Sequence, residues 1–390
     1  MGFILITVTT FLCISYATLL IHYRKSWKDA KTPKTADPAF QPSIFFSVVV
    51  PARNESANII PCLESILGQQ YPSTLFEIIV VDDHSEDDTR DKVIQLKSMQ
   101  VSLLQLKEQL PSSIKLAHKK KAIEAAVKKA RGNWIVTTDA DCHHSPYWLL
   151  NLAVAIEAER PDMVVMPVRM ESTENAIGRF DSLDFLTLQG ITGAAVSNNE
   201  LNMCNGANLA YAKAMFEKLN GYSGIDHISS GDDMLLMEKL ADAGGEIIYL
   251  KSETVIADTK PSTTIKEFLH QRIRWASKSS AYRDNRIKRI LALVYCFNLL
   301  LLLSGIDILI ENNTLQFGVL SISKSSLWFS ILIVKVGAEF AFLKPVSVFF
   351  NRQGLMNWFI PMQPFHIVYV VISGFLGLTG NYRWKGRIVK

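Results

Sequence analysis

The sequence predicts an α/β fold with a mostly parallel sheet, carried between apolar helices at its N- and C-terminal ends. Three observations predict it. Short, unbroken apolar runs alternate with helical patterns between residue 45 and about residue 250, acids gather where those runs end, and apolar stretches bordered by Lys and Arg flank the whole. Strands covered on both faces read as continuous apolar runs, and alternation with helices sets them parallel.

Residues 1–22 contain no acid and no Lys or Arg, about the length that crosses a bilayer as a helix. A signal peptide is the competing reading, but a basic leading region and a small-residue cleavage site are both missing, so residues 1–23 are expected to be an anchor. Arg24, Lys25, Lys28, Lys31 and Lys34 make 24–42 a basic linker, and the positive-inside rule places the next segment in the cytoplasm. Within the domain expected at 43–260, strands are predicted at 44–50, 76–81, 101–106, 134–138 and 163–167. Helices are predicted at 59–70, 89–97, 119–130 and 147–159. An amphipathic interfacial segment, 261–289, holds Arg272, Arg274, Lys278, Arg283, Arg286, Lys288 and Arg289, again a cytoplasmic signature.

Beyond it, 290–380 offers three apolar candidates, at 290–310, 327–343 and 358–378. An anchor plus three spans would export the basic tail 381–390; Pro361, Pro364 and His366 suggest that the last segment is re-entrant or interfacial instead. Lys335 and Glu339, one turn apart within the second candidate, read as a mutually neutralising pair.

Lys+Arg 41 against Asp+Glu 37 gives a net charge of +4, which leaves no footprint for nucleic acid. The five cysteines, Cys13, Cys62, Cys142, Cys204 and Cys296, are scattered and form no CxxC, so reduced thiols are expected in place of disulfides or a zinc site.

Ligands of open α/β sheets bind beyond the carboxyl ends of the strands. There the sequence places Pro51-Ala52-Arg53-Asn54-Glu55, then Asp82-Asp83-His84-Ser85, then Asp139-Ala140-Asp141. Helix capping accounts for 85–88 but not for Asp83, Asp139 and Asp141. Two carboxylates two apart on an extended chain face one way, and hard oxygens suit Mg2+ or Mn2+ beside substrate phosphates. Cys142, His143 and His144 are adjacent and so poorly placed to converge on one ion. In Lys119-Lys120-Lys121, Lys119 reads as a solvated residue, whereas Lys120 or Lys121 could reach a diphosphate. Gly231-Asp232-Asp233 opens a helix; Asp232 is the expected cap and Asp233 the expected general base. Gln271-Arg272-Ile273-Arg274-Trp275 lies in the interfacial segment.

In this order, PARNE, VVDDHS, the KKKAIEAAVKKARG helix, TTDAD, NGAN, GDD and QRIRW resemble glycosyltransferase family 2, over roughly residues 45–275. The membrane branch with QxxRW is similar to cellulose and hyaluronan synthases and ceramide glucosyltransferases. The resemblance implies a nucleotide-binding, Rossmann-like GT-A fold and inverting transfer from a nucleotide sugar such as a UDP-sugar. It implies that Pro51, Arg53, Glu55, Asp83 and Asp139 bind the nucleotide sugar, and Lys121 of the lysine run is the expected further contact. Asp141, with Asp139, would hold Mg2+ or Mn2+, and Asp233 would act as the base. Gln271, Arg274 and Trp275 would serve the diphosphate and acceptor, where Asp232 of GDD is also expected. GDD stands where polymer synthases have TED, which puts the acceptor environment apart from theirs.

The expected protein is therefore a multi-pass enzyme of the cell membrane and cell envelope with a cytoplasmic catalytic domain. Its partners would be a nucleotide-sugar donor, a lipid or glycan acceptor and the bilayer. A processive polysaccharide synthase is the alternative, helped by a second copy or a partner subunit. An inactive scaffold or transport component would not need to keep Asp83, Asp139, Asp141 and Asp233.

Overall fold

The structure, a computed structural model, describes residues 2–33, 40–108, 118–200, 203–228, 231–280, 282–310, 314–317, 320–378, 382–384 and 387–389. The expectation for Lys34 and part of that for the basic tail 381–390 fall outside them. The chain folds as two compact units: an α/β unit of Ala30–Ser172, Ile191–Pro261 and Arg383–Lys390, and a helical unit of Met1–Asp29, Thr173–Gly190 and Ser262–Tyr382.

The α/β unit is built on a seven-stranded sheet with the order Val101–Gln105, Phe76–Asp82, Phe46–Ala52, Trp134–Thr137, Leu209–Ala212, Met163–Val165, Ile247–Tyr249. The first four strands pair in parallel, as their unbroken apolar runs predict. Leu209–Ala212 is antiparallel to both of its neighbours, and Met163–Val165 is parallel to Ile247–Tyr249. The fifth predicted strand thus exists but does not abut the fourth; Leu209–Ala212 lies between them. Val48, Val50, Ile78, Val80 and Val136 are buried against Ile59, Leu63, Trp148 and Leu152 of the covering helices. Each such side chain contributes roughly 1.5–3 kcal/mol by leaving water. A second sheet pairs His143–His144 with Ala257–Thr259, and Ala257–Thr259 with Val168–Met170.

One tight crossing leads into the central strand Trp134–Thr137. Gly132 donates its N–H to Ser47 Oγ at 2.8 Å, and a Cβ there would lie 2.6 Å from both Phe45 O and Ser47 N. Those are backbone atoms of the adjoining strand and its approach, so they cannot yield. Gly132→Ala should therefore cost roughly 3 kcal/mol, read as a lowered thermal midpoint; an unchanged midpoint would mean the crossing is loose.

In the helical unit three described helices are long and apolar enough to cross a membrane: Ile4–Asp29, Asn285–Ile310 and Lys324–Phe349. The fourth apolar helix, Gln363–Leu378, has 16 residues. At 1.5 Å per residue it is about 24 Å long, short of a hydrocarbon core about 30 Å thick. The predicted segment 358–378 is therefore broken, with Gln353–Trp358 forming a separate short 3-10 helix before it. Lys335 and Glu339 do neutralise each other, Nζ to Oε1 at 2.7 Å. Gln363 bridges the pair at 2.8 and 2.9 Å, and the Tyr16 hydroxyl donates to Glu339 at 2.7 Å. With its polar atoms matched in this way, the pair is a packing element across three helices. The helix Ile265–Ala276 opens with a capping box of Thr264 and Glu267.

Candidate active site

The loops after the first two strands are stitched to each other. Asp83 N–H donates to Ala52 O, Asn54 N–H to Ser85 Oγ, Glu55 N–H to Thr89 Oγ1 and Ser56 N–H to Asp87 Oδ2. Arg53 is buried and donates from Nη1 to Asp83 O at 3.0 Å. Arg53, Glu55 and Asp83 are thereby brought into one wall, while Pro51 stays within the strand. His84 Nδ1 lies 2.9 Å and His118 Nδ1 3.1 Å from Asp83 Oδ1. His84 has φ of 58°, a left-handed conformation that His, Asn and Asp adopt more readily than other side chains. Among the described residues, these three are the His, Cys, Asp and Glu side chains whose ligand atoms converge. Their mixed nitrogen and oxygen set differs from the hard oxygens expected for Mg2+ or Mn2+.

The third strand end departs from expectation. Its strand stops at Thr137, and Asp139–Asp141 lie in a turn closed by Cys142 N–H to Asp139 O at 3.1 Å. The extended-chain reason for paired carboxylates therefore fails, and the two acids keep different partners. Asp139 Oδ1 takes the Lys119 ammonium at 2.7 Å, and Asp141 Oδ2 accepts from Thr259 Oγ1 at 3.3 Å.

Lys119 also lies 3.4 Å from Asp232 Oδ2. Burial alone would lower its pKa, but Asp139, Asp232 and Asp233 outweigh that and hold it above the usual lysine range. Lys119 is thus no solvated surface residue, as the sequence had suggested, but the cation of the acid cluster. Lys120 is buried and donates to Ile225 O at 2.6 Å and Ile228 O at 2.8 Å. Lys121, the expected nucleotide-sugar contact, is paired with Glu124 at 2.8 Å and with Asp226 at 3.8 Å. Ala122, Ile123 and Ala126, on the Lys119 face of the helix, are all buried.

The helix cap also changes hands. Asp233, not Asp232, caps Met234–Asp242, accepting from Met234 N–H at 2.7 Å, and it accepts from Gly206 N–H at 3.1 Å. Gly206 belongs to NGAN, and a Cβ there would lie 3.1 Å from Asp232 Oδ2 and 3.4 Å from Lys119 Nζ. The close backbone approach explains a glycine at this point. Asn208 of the same motif knits the unit, donating to Pro167 O and Val255 O and accepting from Trp148 Nε1. Two carboxylates near one ammonium, with a third capping the adjacent helix, form an oxygen-rich cluster that draws positive charge, so charge and donor type fit a hard divalent ion. Gln271, Arg274 and Trp275 lie on Ile265–Ala276 in the helical unit.

The five cysteines all lie among the described residues and form no disulfide. Burial, and next to it Asp141 and Asp139, push the Cys62 and Cys142 thiols up. His144 stacks on Trp148 at 3.8 Å, and its Nε2 sits 2.8 Å from Thr138 Oγ1. Burial holds it down at about 3, so the fold keeps it neutral. The unfolded chain takes up that proton below about pH 6.5, so its uptake favours unfolding increasingly as pH falls from about 6.5 toward about 3. His144→Gln should flatten the decline of the thermal midpoint between about pH 7 and pH 5; an unaltered slope would place the titration elsewhere.

The sequence profile of glycosyl transferase family 2 matches residues 47–219, and that of glycosyl transferase family group 2 matches residues 134–370, more than half of the chain. The chain belongs to glycosyl transferase family group 2. It is a glycosyltransferase with an α/β, GT-A-like fold. It is 24% identical to glycosyltransferase AglE of Haloferax volcanii over 59% of this chain and 71% of that protein. It is 28% identical to the dolichyl N-acetyl-alpha-D-glucosaminyl phosphate 3-beta-D-2,3-diacetamido-2,3-dideoxy-beta-D-glucuronosyltransferase of Methanococcus voltae, over 27% of this chain and 32% of that protein. The mannosyltransferase PcManGT of Pyrobaculum calidifontis, solved with GDP-Man and Mn2+, superposes with a TM-score of 0.60 at 20% identity, covering 95% of this chain and 99% of that one. At that identity the likeness concerns the fold.

Proposed function

We propose that this glycosyltransferase is inverting and divalent-metal-dependent, and moves a sugar from a nucleotide sugar to a lipid or lipid-linked acceptor at the cytoplasmic face of the cell membrane. The observation that carries this reading is the Lys119 knot, which ties Asp139 to Asp232 beside Asp233, in a chain with three membrane-length helices. The acceptor class is supported by the name of the Methanococcus voltae relative, which specifies a dolichyl-linked sugar phosphate.

Arg53, Glu55 and Asp83 hold the nucleotide, with Pro51 shaping the strand end. Asp139 and Asp141 would hold Mg2+ or Mn2+ beside the donor phosphates, where a bound ion offsets the charge growing on the leaving diphosphate. Lys119, rather than Lys121, is the lysine placed among these acids, and Gln271, Arg274 and Trp275 are assigned to the diphosphate and the acceptor. Asp233 takes the proton of the acceptor hydroxyl. Its oxygen forms a bond to the anomeric carbon while the bond to the diphosphate oxygen breaks and that oxygen keeps the electron pair. One displacement of this kind inverts the anomeric centre.

The test is a panel of UDP- and GDP-sugars given to the purified chain with membrane lipids, reading nucleotide diphosphate release and product size. Discrete lipid products from one donor, preferred as a UDP-sugar, are expected. Long polymer would contradict the single-transfer reading, and donor turnover that ignores added lipid would contradict the acceptor class.

A further inference from the structure

QRIRW contains a residue that the roles above leave unused. Arg272 is 4% exposed, and every nitrogen of its guanidinium is engaged. Nε donates to Asp184 Oδ2 at 2.7 Å and Nη2 to Asp181 Oδ1 at 2.7 Å, while Nη1 donates to Gln271 Oε1 at 2.6 Å. The guanidinium carbon lies 4.5 Å from the ring centres of both Phe268 and Trp275. One cation therefore touches two of the three motif side chains, Gln271 by a hydrogen bond and Trp275 by its ring face.

Its anchors are built as carefully. Asp181 and Asp184 are three apart on Ala176–Ser197 and so share a helix face, and both are buried. Asp181 also accepts from Ser262 N–H at 2.7 Å, and Asp184 from the Tyr369 hydroxyl. Ser262 N–H and the Tyr369 hydroxyl thus satisfy the carboxylate oxygens that the guanidinium leaves over, and His366 Nε2 lies 3.9 Å from Asp184 Oδ1. A buried ionic cluster seldom stabilises a fold more than well-packed apolar residues would. What it supplies is direction: the planar fork fixes the orientation of whatever it holds.

We propose that Arg272, clamped by Asp181 and Asp184, is a positioning residue that presets Gln271 and Trp275 for the donor diphosphate and acceptor. This rests on the role given to QRIRW under the proposed function. Arg272 itself contacts no reacting atom; it acts through the two side chains that it holds.

The test is a kinetic double-mutant cycle on the full-length protein in lipid vesicles. Arg272→Lys keeps the buried charge but loses the fork and the flat stacking surface, and Asp184→Asn keeps the shape of the anchor. Each should lower kcat about 30- to 100-fold with less than about threefold change in donor KM and with nucleotide binding retained. In a background carrying both Gln271→Ala and Trp275→Phe most of the Arg272→Lys loss should vanish, because its effect is routed through those two side chains. If Arg272→Lys and Asp184→Asn do not fold, Tyr369→Phe, which removes one hydrogen bond to Asp184, carries the same cycle and should show a smaller loss that the Gln271→Ala, Trp275→Phe background likewise masks. Losses that simply multiply, or that follow the thermal midpoint alone, would reduce the cluster to a structural role and overturn the proposal. If Gln271→Ala and Trp275→Phe themselves left kcat unchanged, the motif's role in the proposed function would fall first, and this inference with it.

Discussion

Asp233→Asn should lower kcat by about 10³-fold, while the fold and the affinity for the donor survive. Asparagine caps a helix about as well as aspartate. Its amide oxygen can still accept from Met234 N–H, the cap now held at 2.7 Å on Oδ1, while Gly206 N–H, which donates to Oδ2 at 3.1 Å, loses its acceptor. What it cannot do is take a proton from an acceptor hydroxyl. The substitution thus separates two roles that coincide on one side chain, and calorimetric donor binding alongside turnover reads them apart. Should Asp233→Asn keep its rate while Asp232→Asn loses it, the base is the neighbour bound to Lys119.

Asp141→Ala should abolish metal-stimulated turnover, by about 10²- to 10³-fold. Asp139 already spends one oxygen on the Lys119 ammonium at 2.7 Å, whereas Asp141 is met by the neutral Thr259 hydroxyl at 3.3 Å. An oxygen already paired with an ammonium is less available to a divalent ion, so the loss of Asp141 should be felt more than that of Asp139. Initial rates against Mn2+ concentration check this. A parent enzyme indifferent to EDTA would remove the premise, and an Asp141→Ala variant with an unshifted metal dependence would move the ligand role elsewhere.

Much of this site is legible in the sequence because burial on both faces leaves unbroken apolar runs, and the acids come where those runs stop. Phe46–Ala52, Phe76–Asp82 and Trp134–Thr137 were recognisable in that way, and their ends hold Arg53, Asp83 and Asp139. Leu209–Ala212 and Ile247–Tyr249, four and three residues long, are too short to show a period, and so the antiparallel insertion went unseen. Three consecutive lysines on a helix point in three directions, and which one faces inward depends on what the helix packs against. The turn at Asp139–Asp141 reflects local backbone geometry that a DxD spacing does not encode. Arg272 reaches partners 88 and 91 positions away, a distance over which local patterning says nothing.

The most direct measurement tracks a radiolabelled sugar from its nucleotide into the lipid phase, using vesicles that carry the full-length protein, Mn2+ and a membrane-lipid extract. Label should move into one or a few discrete, organic-soluble products. That transfer should stop with EDTA and with Asp233→Asn. Label that stays with free sugar or enters long polymer, or transfer that persists in Asp233→Asn, would contradict it.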